Sequence, residues 1–216
     1  MVEATLTIAP AFAVPIGTGQ LTDCERLNRD LEALFLVREN DEFRNPTPSH
    51  LPQPELFESR FNLFSWPEAC VRELRAVVMN AIAQVVQQAT GAPPDKLATL
   101  TMQNHTWFHI TRYGGSFVAH NHPLASWSAV YCVRAGEAVA DQPLSGMLRF
   151  IDPRTGANAY QDPANANLLP AYAVGVRNFR LTAGQIIVFP SYLYHEVAPF
   201  YGSDTRITVA TNCWFR

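Results

Sequence analysis

Near residue 96 the hydrophobic period of the chain changes from that of helices to that of short strands. Upstream, apolar residues recur every three or four positions. Leu27, Leu31, Leu34 and Phe35 predict a helix over roughly 22–38, and Val71, Leu74, Val78, Ile82, Val85 and Val86 predict a second over roughly 67–90. Thr22 or Asp23 is placed to cap the first. Pro67 suits the first turn of the second, and Gly91 followed by Pro93-Pro94 stops it. Between them, 39–58 carries Pro46, Pro48, Pro52 and Pro54 and reads as loop, with His50 a surface histidine. The alternation in 4–14 predicts an edge strand, limited by Pro10.

Downstream, runs rich in Thr, Val, Ile and aromatic residues are punctuated by Gly114-Gly115, Asp152-Pro153, Ala183-Gly184 and similar pairs. They predict strands near 99–112, 116–120, 127–134, 146–151, 171–180, 185–189, 193–198 and 205–214. Strands this short and this regularly spaced build a sandwich or jelly roll. The fold expected is mainly β with flanking helices: one domain over 1–216, in which a strand and helical layer (1–96) buttresses a β core (97–216).

Charged residues make up 16% of the chain and apolar residues 48%, the balance of a packed globule. The net charge of −3 leaves no excess of cations for a broad basic face, so nucleic acid is not an expected partner. No apolar run approaches the ~20 residues that cross a bilayer. Glu3 stands where a signal peptide carries positive charge, so a cytoplasmic location is expected. Cys24, Cys70, Cys132 and Cys213 are widely spaced and read as reduced thiols. A homodimer is compatible with all of this.

Residues two apart on a strand share a face, so His120 and His122 point the same way, and Pro123 keeps His122 extended. His195 lies in the apolar segment FPSYLYHEVAP. If the two stretches are neighbours, three imidazoles converge, a donor set that suits iron, zinc, copper or nickel. Taken singly, the pair reads equally well as polar loop residues, and His195 as a satisfied core histidine. Arg206 and Thr208 also share a face within a run of strand formers. A guanidinium buried there needs an anion. A ligand carboxylate would match its planar fork, with Thr208 adding a donor; an internal ion pair with Glu196 or Asp204 is the structural alternative. His105 and His109 are too far apart on one strand to be a ligand pair. Trp107, Trp127, Phe108 and Phe150 read as core first and substrate mouth second. The polar stretch 155–170 reads as a lid.

The segments HNHP (120–123), SAVYC (128–132), GMLRFIDPR (146–154), FPSYLYHEVAP (189–199) and RITVATN (206–212), with FAVPIG at 12–17, together resemble a bacterial family of 2OG-Fe(II) oxygenases. The family lies within the Fe(II)/2-oxoglutarate-dependent dioxygenases. The resemblance implies a double-stranded β-helix, a jelly-roll core of the cupin type. It implies Fe(II) as metal, 2-oxoglutarate as co-substrate and O2 as oxidant, with hydroxylation of a small molecule or peptide as the reaction. It carries over His120 and His195 as iron ligands and Arg206 with Thr208 as the clamp on the co-substrate carboxylate. Two positions depart from the pattern. The slot two after the first histidine, commonly Asp or Glu, holds His122, which is either a third ligand or replaced by water. Cys132 stands where the family has Tyr, which makes Tyr131, or else Tyr113, the candidate for the missing hydroxyl. The rival readings are a cupin-like metal protein that makes no use of 2-oxoglutarate, and a non-catalytic β module.

Overall fold

The computed structural model describes residues 4–48, 51–159 and 162–216; the expectation for His50 lies outside them. Among the described residues the strands form two antiparallel sheets. The larger runs in the order β1 (Gly17–Gln20), β8 (Gln185–Pro190), β5 (Trp127–Arg134), β10 (Arg206–Phe215), β3 (Met102–Thr111), β2 (Leu56–Glu58). The smaller runs β4 (Phe117–His120), β9 (His195–Val197), β6 (Leu148–Phe150), β7 (Arg177–Phe179). Each of the eight strands expected after residue 96 is present, with β6, β7 and β9 each cut to three residues, shorter than expected. The sheets close on each other through Phe117, Leu148, Phe150 and Val197 of the smaller and Cys132, Ile187 and Phe189 of the larger. This is the jelly roll.

The helices are α1 (Glu25–Val37), α2 (Ala69–Thr90) and α3 (Pro94–Ala98). The stripes of α1 and α2 cover the outside of the larger sheet: Leu27, Leu31, Phe35, Leu74, Val78 and Ile82 are buried in one cluster with Phe108, Ile110, Tyr131, Ile207 and Val209. Side chains on these strands alternate, so every second residue belongs to this outer core and its neighbours point into the barrel. None of the helices is long and apolar enough to cross a membrane. The four cysteines are free thiols, and Cys24, Cys132 and Cys213 are buried.

Four local expectations fail. Residues 4–14 are not a strand; Leu6, Ile8 and Phe12 are exposed, and the edge strand is the four-residue β1 that follows. Alternation alone does not make a strand when no sheet edge takes up its hydrogen bonds. The N-cap of α1 is Cys24, with no side-chain cap from Thr22 or Asp23. Pro67 precedes the N-cap Glu68 of α2 rather than opening its first turn. Finally, 39–58 is not all loop: Leu56–Glu58 pairs with β3, placing Glu58 opposite His109. Three residues after a proline-rich stretch are too few to show a period.

Candidate metal centre

β4 and β9 are hydrogen-bonded neighbours, and their register sets His120 directly opposite His195. β4 ends at His120, but the backbone N–H of His122 donates to Ser191 O at 2.9 Å, which holds the third imidazole at the same rim. Ring centroids are 4.4 Å apart for His120 and His195, 5.1 Å for His120 and His122, and 5.0 Å for His122 and His195. One nitrogen from each ring lies within 4.8 Å of the others. Among the described residues this is the single group of three side chains able to share a metal ion; Asp152 and Asp204 are not part of it.

The backbone decides which nitrogen each ring offers. His120 Nδ1 lies 2.7 Å from Val118 O, and His195 Nδ1 lies 2.9 Å from Leu193 O. A carbonyl only accepts, so each Nδ1 carries the proton and each Nε2 keeps its lone pair. Donation of the second N–H to a carbonyl is the usual support of a metal-bound imidazole. Burial, with the neighbouring imidazoles adding to it, holds His122 down at about 3. Burial and His120 hold His195 down at about 4. Both rings are therefore neutral near pH 7, the form that binds a metal.

The inner face of β10 continues the cavity with Arg206, Thr208, Ala210 and Asn212. Arg206 is 2% exposed. The two carboxylates that would have made it a structural cation are engaged elsewhere: Glu196 with Arg149 at 2.5 Å and Asp204 with Arg134 at 3.0 Å. Among the described residues no carboxylate pairs with Arg206, and burial pulls its guanidinium below the ordinary arginine range. The stem passes close under Gly146, whose φ is +63°. A Cβ there would stand 3.2 Å from both Arg206 Cδ and the Phe200 ring, so glycine serves both the turn and the packing of the arginine.

The structure does not bring Tyr131 or Tyr113 to this cavity. Tyr131 has the parity of the outer face, and its hydroxyl donates to Asn28 Oδ1 of α1 at 2.7 Å. Tyr113 is exposed and packs edge-on against Tyr201. Cys132 does turn inward, opposite Thr208, and burial pushes its thiol up to about 11 against the pull of Arg206. Of the aromatic candidates, Trp107 lines the cavity, Phe108 and Trp127 belong to the outer core, and Phe150 packs 5.8 Å from the His195 ring. Arg154 grips Asp152 and reaches Ala173 O, tying down the 171–175 loop rather than meeting the imidazoles. His105 packs against Trp214. His109, passed over in the sequence, lines the cavity and meets the buried Glu58 at 3.1 Å. Its signal was parity: it is two residues from Trp107 and directly opposite Thr208.

The sequence profile of the family described as "Putative 2OG-Fe(II) oxygenase" matches residues 105–212, half of the chain. No curated protein matches the sequence. Solved structures with the same fold include a prolyl-4-hydroxylase of Pseudomonas putida (15% identity, 94% of each chain covered, TM-score 0.58). AviO1 of Streptomyces viridochromogenes Tue57 is similar at 15% identity, 97% of this chain and 96% of that one, TM-score 0.59. HygX of Streptomyces hygroscopicus, solved with nickel and 2-oxoglutarate bound, is similar at 10% identity, 93% and 83% covered, TM-score 0.60.

Proposed function

Because this chain belongs to the 2OG-Fe(II) oxygenase family, whose cofactors are Fe(II) and 2-oxoglutarate, we propose that it hydroxylates a small molecule or peptide, with His120, His122 and His195 as the iron ligands and Arg206 with Thr208 as the co-substrate clamp. The observation that carries this reading is one cavity with three imidazoles at its rim and, on its floor, a buried guanidinium that no carboxylate among the described residues pairs with. The donor set fits the metal: neutral imidazole suits iron, and three side-chain ligands leave positions for other molecules. The floor fits the diacid: Arg206 pairs with no carboxylate among the described residues, and Thr208, opposite His109 on the inner face, adds a hydroxyl.

When bound, Fe(II) and 2-oxoglutarate supply the oxidation: the diacid and O2 become succinate and CO2, and a substrate C–H becomes C–OH. The chain supplies placement. Val118 O and Leu193 O orient two imidazoles, Ser191 O holds the third, and Arg206 sets the depth at which a carboxylate comes to rest. Phe117, Leu148, Phe189 and Val197 keep water from the space between. A second hollow of about 280 Å³, walled by Phe150, Ile151, Asp152, Ala173 and Leu193, adjoins the shell of His195 and is the proposed entry for substrate. The helical layer and the core act as one unit over 1–216.

Purified protein supplied with Fe(II), O2 and 2-oxoglutarate should form succinate slowly even without substrate. Absence of 2-oxoglutarate binding in the presence of Fe(II), Co(II) and Ni(II) alike would overturn the proposal in favour of a metal protein of another kind.

A further inference from the structure

Beside the cavity lies a buried carboxylate outside the ligand set. Glu58 is 2% exposed, and the sheet register aligns it with His109 on β3 and Thr208 on β10. Its Oε1 accepts from Asn45 Nδ2 at 2.8 Å, and its Oε2 lies 3.1 Å from His109 Nε2. The same nitrogen lies 2.9 Å from Trp107 Nε1. The Trp107 ring in turn packs edge-on against His122, with centroids 6.0 Å apart. A chain of contacts thus runs from Glu58 through His109 and Trp107 to the ring that occupies the usual carboxylate slot.

That slot is where charge is missing. Three neutral imidazoles offer a divalent cation no negative charge, and the nearby Arg206 adds a positive one. A buried anion acts on a nearby cation through a medium that screens poorly. The indole N–H only donates and an ionised carboxylate only accepts, so a neutral His109 ring can satisfy one of them at a time. A dication at the triad favours the ionised carboxylate, and with it the ring whose Nε2–H faces Glu58.

We propose that Glu58, held by His109, is the outer carboxylate of this metal centre, a positioning residue that supplies the negative charge absent from the three-histidine set. The inference rests on the three-histidine centre proposed above, and its failure is separable from the failure of that centre.

The test is a Co(II) titration of the metal-free protein, followed by the visible absorption of the bound ion. Glu58→Gln keeps the size of the side chain and an acceptor for Asn45. It should weaken Co(II) binding roughly ten- to a hundred-fold and alter the absorption band, while the unfolding midpoint without metal stays close to wild type. Glu58→Asp should recover most of the affinity, which a merely structural role would not give. If Glu58→Gln does not fold, His109→Gln takes its place: it leaves the carboxylate but cuts the link, and should weaken binding in the same direction. Co(II) affinity within about two-fold of wild type in the folded variant would overturn the role of Glu58 and leave the triad standing. No Co(II) binding by the wild-type protein would remove the metal centre itself.

Discussion

The two faces of the larger sheet are made by the same strands and have opposite chemistry. On β10, Ile207, Val209 and Cys213 turn out to the helices, while Arg206, Thr208, Ala210 and Asn212 turn into the barrel. On β3, Phe108 and Ile110 go out, and Trp107 and His109 go in. On β5, Ala129, Tyr131 and Val133 go out, and Ser128 and Val130 go in. The few hydroxyls of the outer face are satisfied on the spot: Thr106 donates to Thr211 at 3.2 Å, and Tyr131 to Asn28. The inner face carries a guanidinium that no carboxylate among the described residues pairs with, and it looks across the cavity to the three imidazoles held by the smaller sheet and the turn after β4. One face is packed against the helices and holds the fold; the other carries the polar groups proposed to meet the co-substrate. Parity along the strand divides stability from function.

Three substitutions would break or sharpen that division. The largest effect belongs to the outer face. The Phe108 ring stacks on Phe35 with centroids 4.2 Å apart and lies 5.5 Å from Phe57. Phe108→Ala should cost about 3–5 kcal/mol in urea unfolding, with metal affinity of the folded fraction unchanged; a variant that folds normally but loses metal would blur the two faces.

Arg206→Met comes next and should behave in the opposite way. It keeps much of the volume and removes a buried charge that no carboxylate among the described residues offsets, so stability should hold or rise. Calorimetric 2-oxoglutarate affinity, measured with Ni(II) present, should fall about a hundred-fold at unchanged metal affinity. A drop in stability like that of Phe108→Ala would make Arg206 a structural cation.

The smallest effect tests the boundary. Tyr131→Phe removes only the bond to Asn28 and should cost about 1 kcal/mol in the same unfolding assay. The KM for 2-oxoglutarate should not move. A raised KM would mean that the hydroxyl reaches the cavity after all.

Much of this was legible because strand parity is. The spacing of Arg206 and Thr208, and of His120 and His122, put each pair on one face before any neighbour was known. The same arithmetic applied to Tyr131 would have sent it outward, since adjacent residues on a strand face opposite ways and Cys132 turns in. Glu58 was hidden for another reason. Its strand is three residues long and follows a run of prolines, so its place beside His109 comes from pairing and not from pattern. Residues 4–14 erred in the other direction, with alternation but no edge to bind it.

What the sequence determined by itself was the inventory and its orientation: which donors each strand carries, and on which side. Those are local properties, set by the sterics of an extended backbone and unaffected by what lies next to it. Only the tertiary structure decided convergence. β4 and β9 became neighbours, so that His120 stands opposite His195 and Arg206 lies on the floor below, while Glu196 and Asp204 were taken by other arginines. Which strands pair is settled by packing among residues far apart in the chain, and no short stretch of sequence contains that information.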